Sequence, residues 1–121
     1  LFVTKDEQVI VNELAPRPHN SGHYTIEACS FDQFDAHIRG IAGWPLEQPE
    51  LLKPAVMVNV LGQHVAPTRT LIAEHPEWNM HDYCNAEVRH DRKMGHITVL
   101  TDDTRQTVAD LERTGCWDDL K

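Results

Sequence analysis

The sequence is short of cysteine, and its few cysteines are poorly placed for disulfide bonds. Three occur in 121 residues, at Cys29, Cys84 and Cys116. An odd number at wide spacing is typical of reduced thiols inside a cell rather than of a disulfide framework. We therefore expect each cysteine to be a small, buried or half-buried side chain, and we expect the protein to be cytoplasmic.

Long apolar runs and an excess of positive charge are also missing. The longest apolar run, residues 55–61, is interrupted by Asn59 and is much shorter than the roughly 20 residues that cross a membrane. The net charge of −8 argues against a broad nucleic-acid surface, although a few clustered cations can still bind a small anion. These features predict no membrane and no nucleic acid as partner.

The motifs of several common enzyme classes do not occur either. The eight histidines and three cysteines form no C-x-x-C or H-E-x-x-H pattern, so a zinc site is not expected. The nucleophile elbow G-x-S-x-G and the phosphate loop G-x-x-x-x-G-K-[ST] are absent. The three tryptophans are expected to pack in the core or at its edge rather than to form a ligand cage: Trp44, Trp78 and Trp117.

The first part of the chain predicts a hairpin and then a helix. Residues 1–3 and 8–14 are β-rich runs separated by a polar stretch, which favours a β-hairpin. Ser30 followed three residues later by Gln33 has the pattern of a capping box, and it predicts a helix over residues 31–42. The apolar residues at helical spacing are Phe31, Phe34, Ile38 and Ile41, and Gly43 stands where a C-terminal cap belongs.

The second part of the chain predicts strands and a final helix. Residues 54–61 and 95–101 have clear strand patterns, residues 78–84 and 87–89 have weak ones, and residues 68–74 predict a short helix. Asp103, with Gln106 three residues later, starts a helix that continues to Thr114 and is capped by Gly115. Strands and helices occur in separate groups rather than in alternation, so the predicted fold class is α+β.

A dense polar cluster, residues 12–23, follows the predicted hairpin. Asn12 and Glu13 at the end of a strand suit a hard cation that prefers oxygen ligands. Arg17 lies between two prolines, so it has little freedom to lose when it binds a carboxylate or a phosphate. His19 and Asn20 follow and would complete an anion pocket. The alternative is a surface turn whose polar residues cap the next helix.

A second cluster, residues 89–96, concentrates positive charge in an otherwise acidic chain. Arg89, Arg92 and Lys93 precede a strand and stand close to two histidines. This local excess of cations favours a phosphate site. The alternative is a solvated hairpin tip without a ligand.

The two clusters together resemble one family of ligases. Residues 11–28, 52–62 and 92–99 resemble, in order along the chain, motifs of the 5-(carboxyamino)imidazole ribonucleotide synthases, which are ATP-grasp enzymes of purine biosynthesis. The resemblance covers only about the last third of a family member. It implies that residues 1–50 are the end of an ATP-grasp domain, with the metal and bicarbonate strand, loop and helix. Residues 51–121 would then form a small, mostly β C-terminal domain with a terminal helix.

The resemblance also implies roles for particular residues. Members of the family use ATP and bicarbonate to make carboxyphosphate, which carboxylates the amine of 5-aminoimidazole ribonucleotide. Asn12 and Glu13 would hold the Mg²⁺ that bridges the ATP phosphates. The catalytic residues Arg17, His19 and Asn20 would bind bicarbonate or carboxyphosphate. Arg92 and Lys93 would bind the phosphate of the ribonucleotide, and the parent enzyme would be a homodimer.

One position departs from the family pattern. Family members commonly have Tyr-Gly-Lys before the second cluster, whereas this chain has Tyr83-Cys84-Asn85. Asn85 cannot replace the charge of a lysine that contacts the substrate. The chain also begins within a strand pattern, as a piece of a larger protein would. A ligase fragment that is inactive alone is therefore the first hypothesis. A non-catalytic binding or assembly module of the same fold is the second, and a metal-dependent hydrolase is the third.

Overall fold

The computed structural model describes residues 1–118, and its N-terminal part is a small hairpin. Strand β1 (Phe2–Val3) pairs antiparallel with strand β2 (Val9–Ile10). The Thr4 hydroxyl accepts a hydrogen bond of 3.0 Å from the backbone N–H of Gln8 and thereby holds the turn. The predicted hairpin is confirmed, but its second strand is shorter than predicted. Residues 11–14 are exposed and have no ladder partner among the described residues.

Two helices follow the hairpin. The short helix α1 (Thr25–Ala28) was not predicted, and helix α2 (Gln33–Ala42) begins later than residue 31. The N-cap is Asp32, whose carboxylate accepts hydrogen bonds from the backbone N–H groups of the next turn. The predicted capping box is therefore wrong. The Ser30 hydroxyl instead accepts from the N–H of Glu50, at 3.0 Å, and so it is not available to α2.

Gly43 ends helix α2 as predicted. Its φ angle of 67° is in the left-handed region, where glycine carries no steric penalty. The apolar face of α2 is largely open, because Phe34, Ile38 and Ile41 are 41%, 57% and 73% exposed. Helix α2 is thus formed by local capping and not by burial of this face within residues 1–118.

An antiparallel three-stranded sheet dominates the second part of the chain. Strands β3 (Ala55–Leu61) and β4 (Trp78–Asp82) flank the central strand β5 (Lys93–Leu100). The clear strand predictions are confirmed, with β5 beginning earlier than predicted, at Lys93. Residues 87–89 form no strand, so that weak prediction is wrong. Residues 94–99 are buried because β5 has a neighbour on each side.

Helices α3 (Val65–Leu71) and α4 (Thr104–Arg113) complete this part. Helix α3 begins before residue 68, where it was predicted to start. The cap of α4 is confirmed, since the Asp103 carboxylate accepts a 2.9 Å hydrogen bond from the N–H of Gln106. The sheet and helices enclose one apolar core, formed by Val60, Val65, Trp78, Met94, Ile97, Val99, Leu111, Cys116 and Trp117.

Two expectations about single residue types are only partly met. Cys116 is buried and Cys29 is half-buried, but Cys84 is exposed, in the segment that follows strand β4. Trp78 and Trp117 are core residues, whereas Trp44 is 61% exposed beyond the end of α2. Among residues 1–118, no helix is both long and apolar enough to span a membrane.

Candidate functional site

The structure places most of the first polar cluster around one open cavity. This cavity has a volume of about 470 Å³, and its polar lining consists of Asn12, Glu13, Arg17, His19, Ser21 and Gln33. Asn12, Glu13 and Arg17 are exposed, and His19 is half-buried. Four of the five predicted residues of this cluster thus share a cavity. The predicted fifth residue, Asn20, is half-buried and does not line it.

The His19 ring has a defined orientation. Its Nδ1 accepts a hydrogen bond from the backbone N–H of Ser21 and lies 2.9 Å from the Ser21 hydroxyl. A ring nitrogen that accepts from N–H carries no proton, so the neutral ring has its proton on Nε2. Nε2 lies 3.7 Å from the Glu13 carboxylate. His19 therefore presents an N–H donor on the side of the cavity that Glu13 occupies.

The backbone of His19 is held by a side chain from helix α2. The amide of Gln33 accepts from the His19 N–H at 2.8 Å and donates to the His19 carbonyl at 2.9 Å. Gln33 was considered from sequence only as part of a capping box. Its contact with His19 spans fourteen residues, and no local sequence pattern reports such a contact.

The cavity offers a partial metal site. Asn12 and Glu13 provide oxygen atoms, the ligand type that Mg²⁺ prefers. Within residues 1–118, no group of three or more histidine, cysteine, aspartate or glutamate residues is arranged to hold a metal ion. The two residues thus fit a cation that takes its other ligands from phosphates, water or further protein. Mg²⁺ suits such a site, because in proteins it is usually bound by one or two carboxylates together with water molecules and substrate phosphates.

The second cluster is less uniformly basic than the sequence suggests. Arg89 pairs with the Glu87 carboxylate at 2.6 Å, and His90 lies 3.1 Å from Asp91. Arg92 and Lys93 are both exposed, and Lys93 opens strand β5. Local acids therefore pair with Arg89 and His90, and Arg92 and Lys93 are two further exposed cations of the cluster.

Asn85 has a definite role in this second cluster. Its side-chain oxygen accepts a hydrogen bond of 2.9 Å from the Arg92 guanidinium. A neutral acceptor orients the guanidinium without cancelling its charge. Asn85 does not restore the positive charge of the lysine in the family pattern, but it does hold Arg92 in place.

A column of stacked rings connects the two clusters. His23 stacks on His96 with ring centroids 4.8 Å apart, and His96 stacks on His81 at 4.5 Å. Glu27 lies 2.5 Å from the His81 ring nitrogen, and the Tyr83 hydroxyl lies 2.9 Å from Nδ1 of His96. The column was missed from sequence, because His81 and His96 become neighbours only through the register of β4 and β5.

Burial keeps part of this column neutral. Burial, together with the smaller effects of the fields of His81 and His23, lowers the pKa of His96 to about 4. Burial is also the main reason why the pKa of His23 is lowered, followed by the fields of His81, Lys93 and His19. The ring of His23 is therefore close enough to His19 of the first cluster and Lys93 of the second for both charges to affect its pKa. At neutral pH, His23 and His96 are uncharged stacking partners.

Comparison with known proteins agrees with this arrangement. Residues 1–34 match the ATP-grasp domain family, and residues 55–110 match the family described as phosphoribosylaminoimidazole carboxylase C-terminal domain. The N5-carboxyaminoimidazole ribonucleotide synthase of Staphylococcus aureus (strain COL) is 52% identical over 111 residues. That match covers 91% of this chain and 30% of the relative.

Solved structures show the same relationship. The crystal structure of N5-carboxyaminoimidazole synthetase from Staphylococcus aureus has a TM-score of 0.89 at 51% identity, and the match covers 93% of this chain and 31% of that one. The Aspergillus clavatus enzyme in complex with ADP and 5-aminoimidazole ribonucleotide has a TM-score of 0.82 at 33% identity, covering 93% and 32%.

The order of motifs, the α+β fold and the open polar cavity define a portion of an ATP-grasp protein. Within that class, the chain belongs to the N5-carboxyaminoimidazole ribonucleotide synthase family and corresponds to its C-terminal portion. The chain spans about 30% of the length of the curated relatives it matches. The family resemblance read from the sequence is confirmed.

Proposed function

We propose that this chain supplies one wall of the active site of an ATP-dependent ligase. The ligase carboxylates 5-aminoimidazole ribonucleotide with bicarbonate in purine biosynthesis. The observation that carries the proposal is the shared cavity, which brings two oxygen ligands together with a cation and an oriented imidazole. These are the groups that a reaction between ATP and bicarbonate needs, since both reactants are anions.

The first step joins bicarbonate to the γ-phosphoryl group of ATP. A bicarbonate oxygen attacks the phosphorus, ADP leaves, and carboxyphosphate forms. A bound Mg²⁺ would neutralise charge on the phosphates during this step. Asn12 and Glu13 would hold that ion. Arg17 and the Nε2–H of His19 would bind the oxygens of bicarbonate.

Asn20 acts differently from these two residues in the proposal. Its side-chain oxygen is buried and has no hydrogen-bond partner among residues 1–118. An amide oxygen does not bind an anion, so Asn20 would contact carboxyphosphate through its side-chain N–H groups. We assign Asn20 a supporting part in binding carboxyphosphate.

The second step transfers the carboxyl group. The exocyclic amine of the ribonucleotide attacks the carboxyl carbon of carboxyphosphate, inorganic phosphate leaves, and the amine loses a proton. Arg92 and Lys93 would bind the phosphate of the ribonucleotide, because both are exposed cations at the start of strand β5, which also carries His96 of the ring column. The hydrogen bond from Arg92 to Asn85 would orient the guanidinium for that contact.

The proposal includes the wider organisation of the protein. Residues 1–50 would be the end of the ATP-grasp domain, and residues 51–121 the small C-terminal domain. The parent would be a cytoplasmic homodimer. Residues 119–121 lie outside the described part of the chain, so only 51–118 bear on the second domain here.

A binding or assembly module without catalysis is the second candidate. It is favoured by Asn85, which leaves the second cluster with one positive charge fewer than the family pattern. The two functions differ in what they predict for the full-length protein, since only a ligase turns over all three substrates.

The experiment measures phosphate release by the full-length parent and by residues 1–121 alone. We expect release from the parent only when ATP, bicarbonate and 5-aminoimidazole ribonucleotide are all present. We expect none from residues 1–121, because one wall of a site cannot position ATP. In the parent, Lys93→Ala should raise the KM for the ribonucleotide, whereas the matched control Arg105→Ala on α4 should not. If phosphate release by the parent did not depend on the ribonucleotide, the binding module would be the better interpretation.

A further inference from the structure

Gln33 satisfies every hydrogen-bonding atom of its side-chain amide within the candidate site. Oε1 accepts from the His19 N–H at 2.8 Å, while Nε2 lies 2.9 Å from the His19 carbonyl and 2.7 Å from Nδ1 of His23. An amide nitrogen has two N–H donors, so one reaches the carbonyl and the other the imidazole. If the amide were flipped, its NH₂ group would face the backbone N–H of His19, and two donors would oppose each other. The orientation is thereby determined.

The backbone around Gln33 is shaped to accept this amide. A Cβ atom added at Gly22 would lie 2.5 Å from Gln33 Oε1, so a glycine is needed for the close approach. The backbone N–H of Gln33 donates to the Thr25 hydroxyl, and that hydroxyl donates to the Gly22 carbonyl. The segment from His19 to Thr25 is therefore fastened to the first residue of α2 at several points.

The contact continues into the second cluster through His23. Because Nδ1 of His23 accepts from Gln33, the neutral ring carries its proton on Nε2. That ring stacks on His96, which lies on the strand that Lys93 opens. One amide thus contacts the backbone of the loop formed by residues 15–22, which carries Arg17 and His19 and is called the anion loop, and also the first ring of the column that reaches β5.

We propose that Gln33 is the positioning residue of the anion-binding loop, holding His19 toward the cavity and, through His23, fixing this loop on the strand that carries Lys93. The inference rests on the proposed function for its kinetic consequence. Gln33 touches no reacting atom in this proposal. It acts through His19, whose carbonyl also accepts a 2.9 Å hydrogen bond from the Gly22 N–H but whose backbone N–H donates to Gln33.

Two variants of the full-length parent test the proposal by separate routes. Gln33→Met keeps the length of the side chain and removes all three hydrogen bonds. Gly22→Ala leaves Gln33 in the sequence but places a methyl group where the amide now lies. The matched control is Gly40→Ala, since a Cβ at Gly40 meets nothing within 4 Å and alanine favours a helix.

The kinetic readout is the KM for bicarbonate compared with kcat and with the KM for ATP. We expect both variants to raise the bicarbonate KM by roughly tenfold or more, the scale of lost hydrogen bonds to a polar anchor, with smaller changes in the other two constants. Gly40→Ala should behave as the wild type. An unchanged bicarbonate KM in both variants would overturn the proposal, as would an equal loss in every constant.

A spectroscopic readout separates this inference from the proposed function. In nitrogen-15 spectra of the parent, the chemical shift of His23 Nδ1 should be that of an unprotonated, hydrogen-bond-accepting nitrogen. In Gln33→Met and in Gly22→Ala, this shift should move toward the value for a mixture of the two tautomers. If the parent shows no bicarbonate-dependent turnover, the proposed function fails and the His23 signal alone decides the inference. An unshifted His23 signal would then refute it.

Discussion

Residues 1–50 and residues 51–118 differ sharply in how they hold their structure. In the first region Ala28 is the one buried residue, whereas the second contains the whole apolar core cluster. The anion loop nevertheless lies in the first region, where local hydrogen bonds and the Gln33 amide replace burial. The catalytic chemistry that we propose therefore depends on polar contacts, and the fold of the chain depends on the second region.

The two regions are joined mainly through polar and aromatic contacts. His23 and Glu27 reach His96 and His81 on the sheet, and the carbonyl of Ala28 accepts a 2.7 Å hydrogen bond from the N–H of Leu52. Such contacts fix direction as well as distance, because hydrogen bonds and stacked rings have preferred geometries. They suit a junction that must orient one anion site relative to another.

The first prediction compares the loss of stability on replacing one isoleucine from each region, and it has the largest expected effect. Ile97 is fully buried in β5 and Ile38 is 57% exposed on α2. In the 121-residue chain, Ile97→Ala should lower the free energy of unfolding by about 2–5 kcal/mol, because it removes apolar contacts and leaves a cavity. Ile38→Ala should change it by less than about 0.5 kcal/mol. Urea unfolding followed by tryptophan fluorescence measures both, since Trp78 and Trp117 are core residues.

Equal losses from the two substitutions would contradict the comparison. They would show that the α2 face is covered in solution, for instance by a second copy of the chain. Sedimentation of the wild-type chain at two concentrations would then identify that association.

The same contrast explains which features could be predicted from sequence. Gly43, Gly115 and the strand around Ile97 were predictable, because caps and alternating strands are encoded within a few residues. The capping box at Ser30 failed because Asp32 is nearer to the start of α2 and because Ser30 has a distant partner, Glu50. Local pattern alone cannot decide between two side chains that can both cap.

The candidate site divides in a similar way. The cavity around Glu13, Arg17 and His19 follows from residues adjacent in sequence, so its polar character was visible there. Gln33 and the His23–His96 stack depend on contacts between distant segments. These contacts follow from tertiary packing, and only a structure supplies them.

A second prediction concerns the junction and its dependence on pH. His96 has a pKa of about 4 in the folded chain, below the ordinary 6.5 expected after unfolding. Between these values the unfolded chain binds more protons, so stability rises with pH across this window. The stabilising contribution is present above about pH 6.5 and is lost as the pH falls toward 4. One pKa unit corresponds to about 1.4 kcal/mol, so His96 accounts for at most about 3 kcal/mol.

The measurement is the free energy of unfolding by urea at several pH values between 4 and 7. The control is His96→Phe, which keeps an aromatic ring in the column and removes the titrating group. We expect a smaller increase in stability with pH for this variant than for the wild type. Parallel pH profiles would show that His96 does not set the acid response of the chain.

The smallest expected effect is confined to the anion loop and leaves the core untouched. Arg17 is exposed on the cavity between two prolines, and its one hydrogen bond within the loop is to the Pro18 carbonyl at 3.2 Å. In the full-length parent, Arg17→Lys keeps the charge but removes the planar pair of donors that matches a carboxylate or bicarbonate. We expect a loss of about 1.5–3 kcal/mol in transition-state stabilisation, seen as a lower kcat/KM for bicarbonate, the scale of a hydrogen bond to a charged group.

Initial rates at varied bicarbonate and saturating ATP measure this loss, with Arg105→Lys on α4 as the control. Because Arg17 is exposed and does not belong to the apolar core, urea unfolding of the variant should match the wild type. Unchanged bicarbonate kinetics would show instead that Arg17 serves only the conformation of its loop, and the assignment of the anion site would then rest on His19 and Asn20.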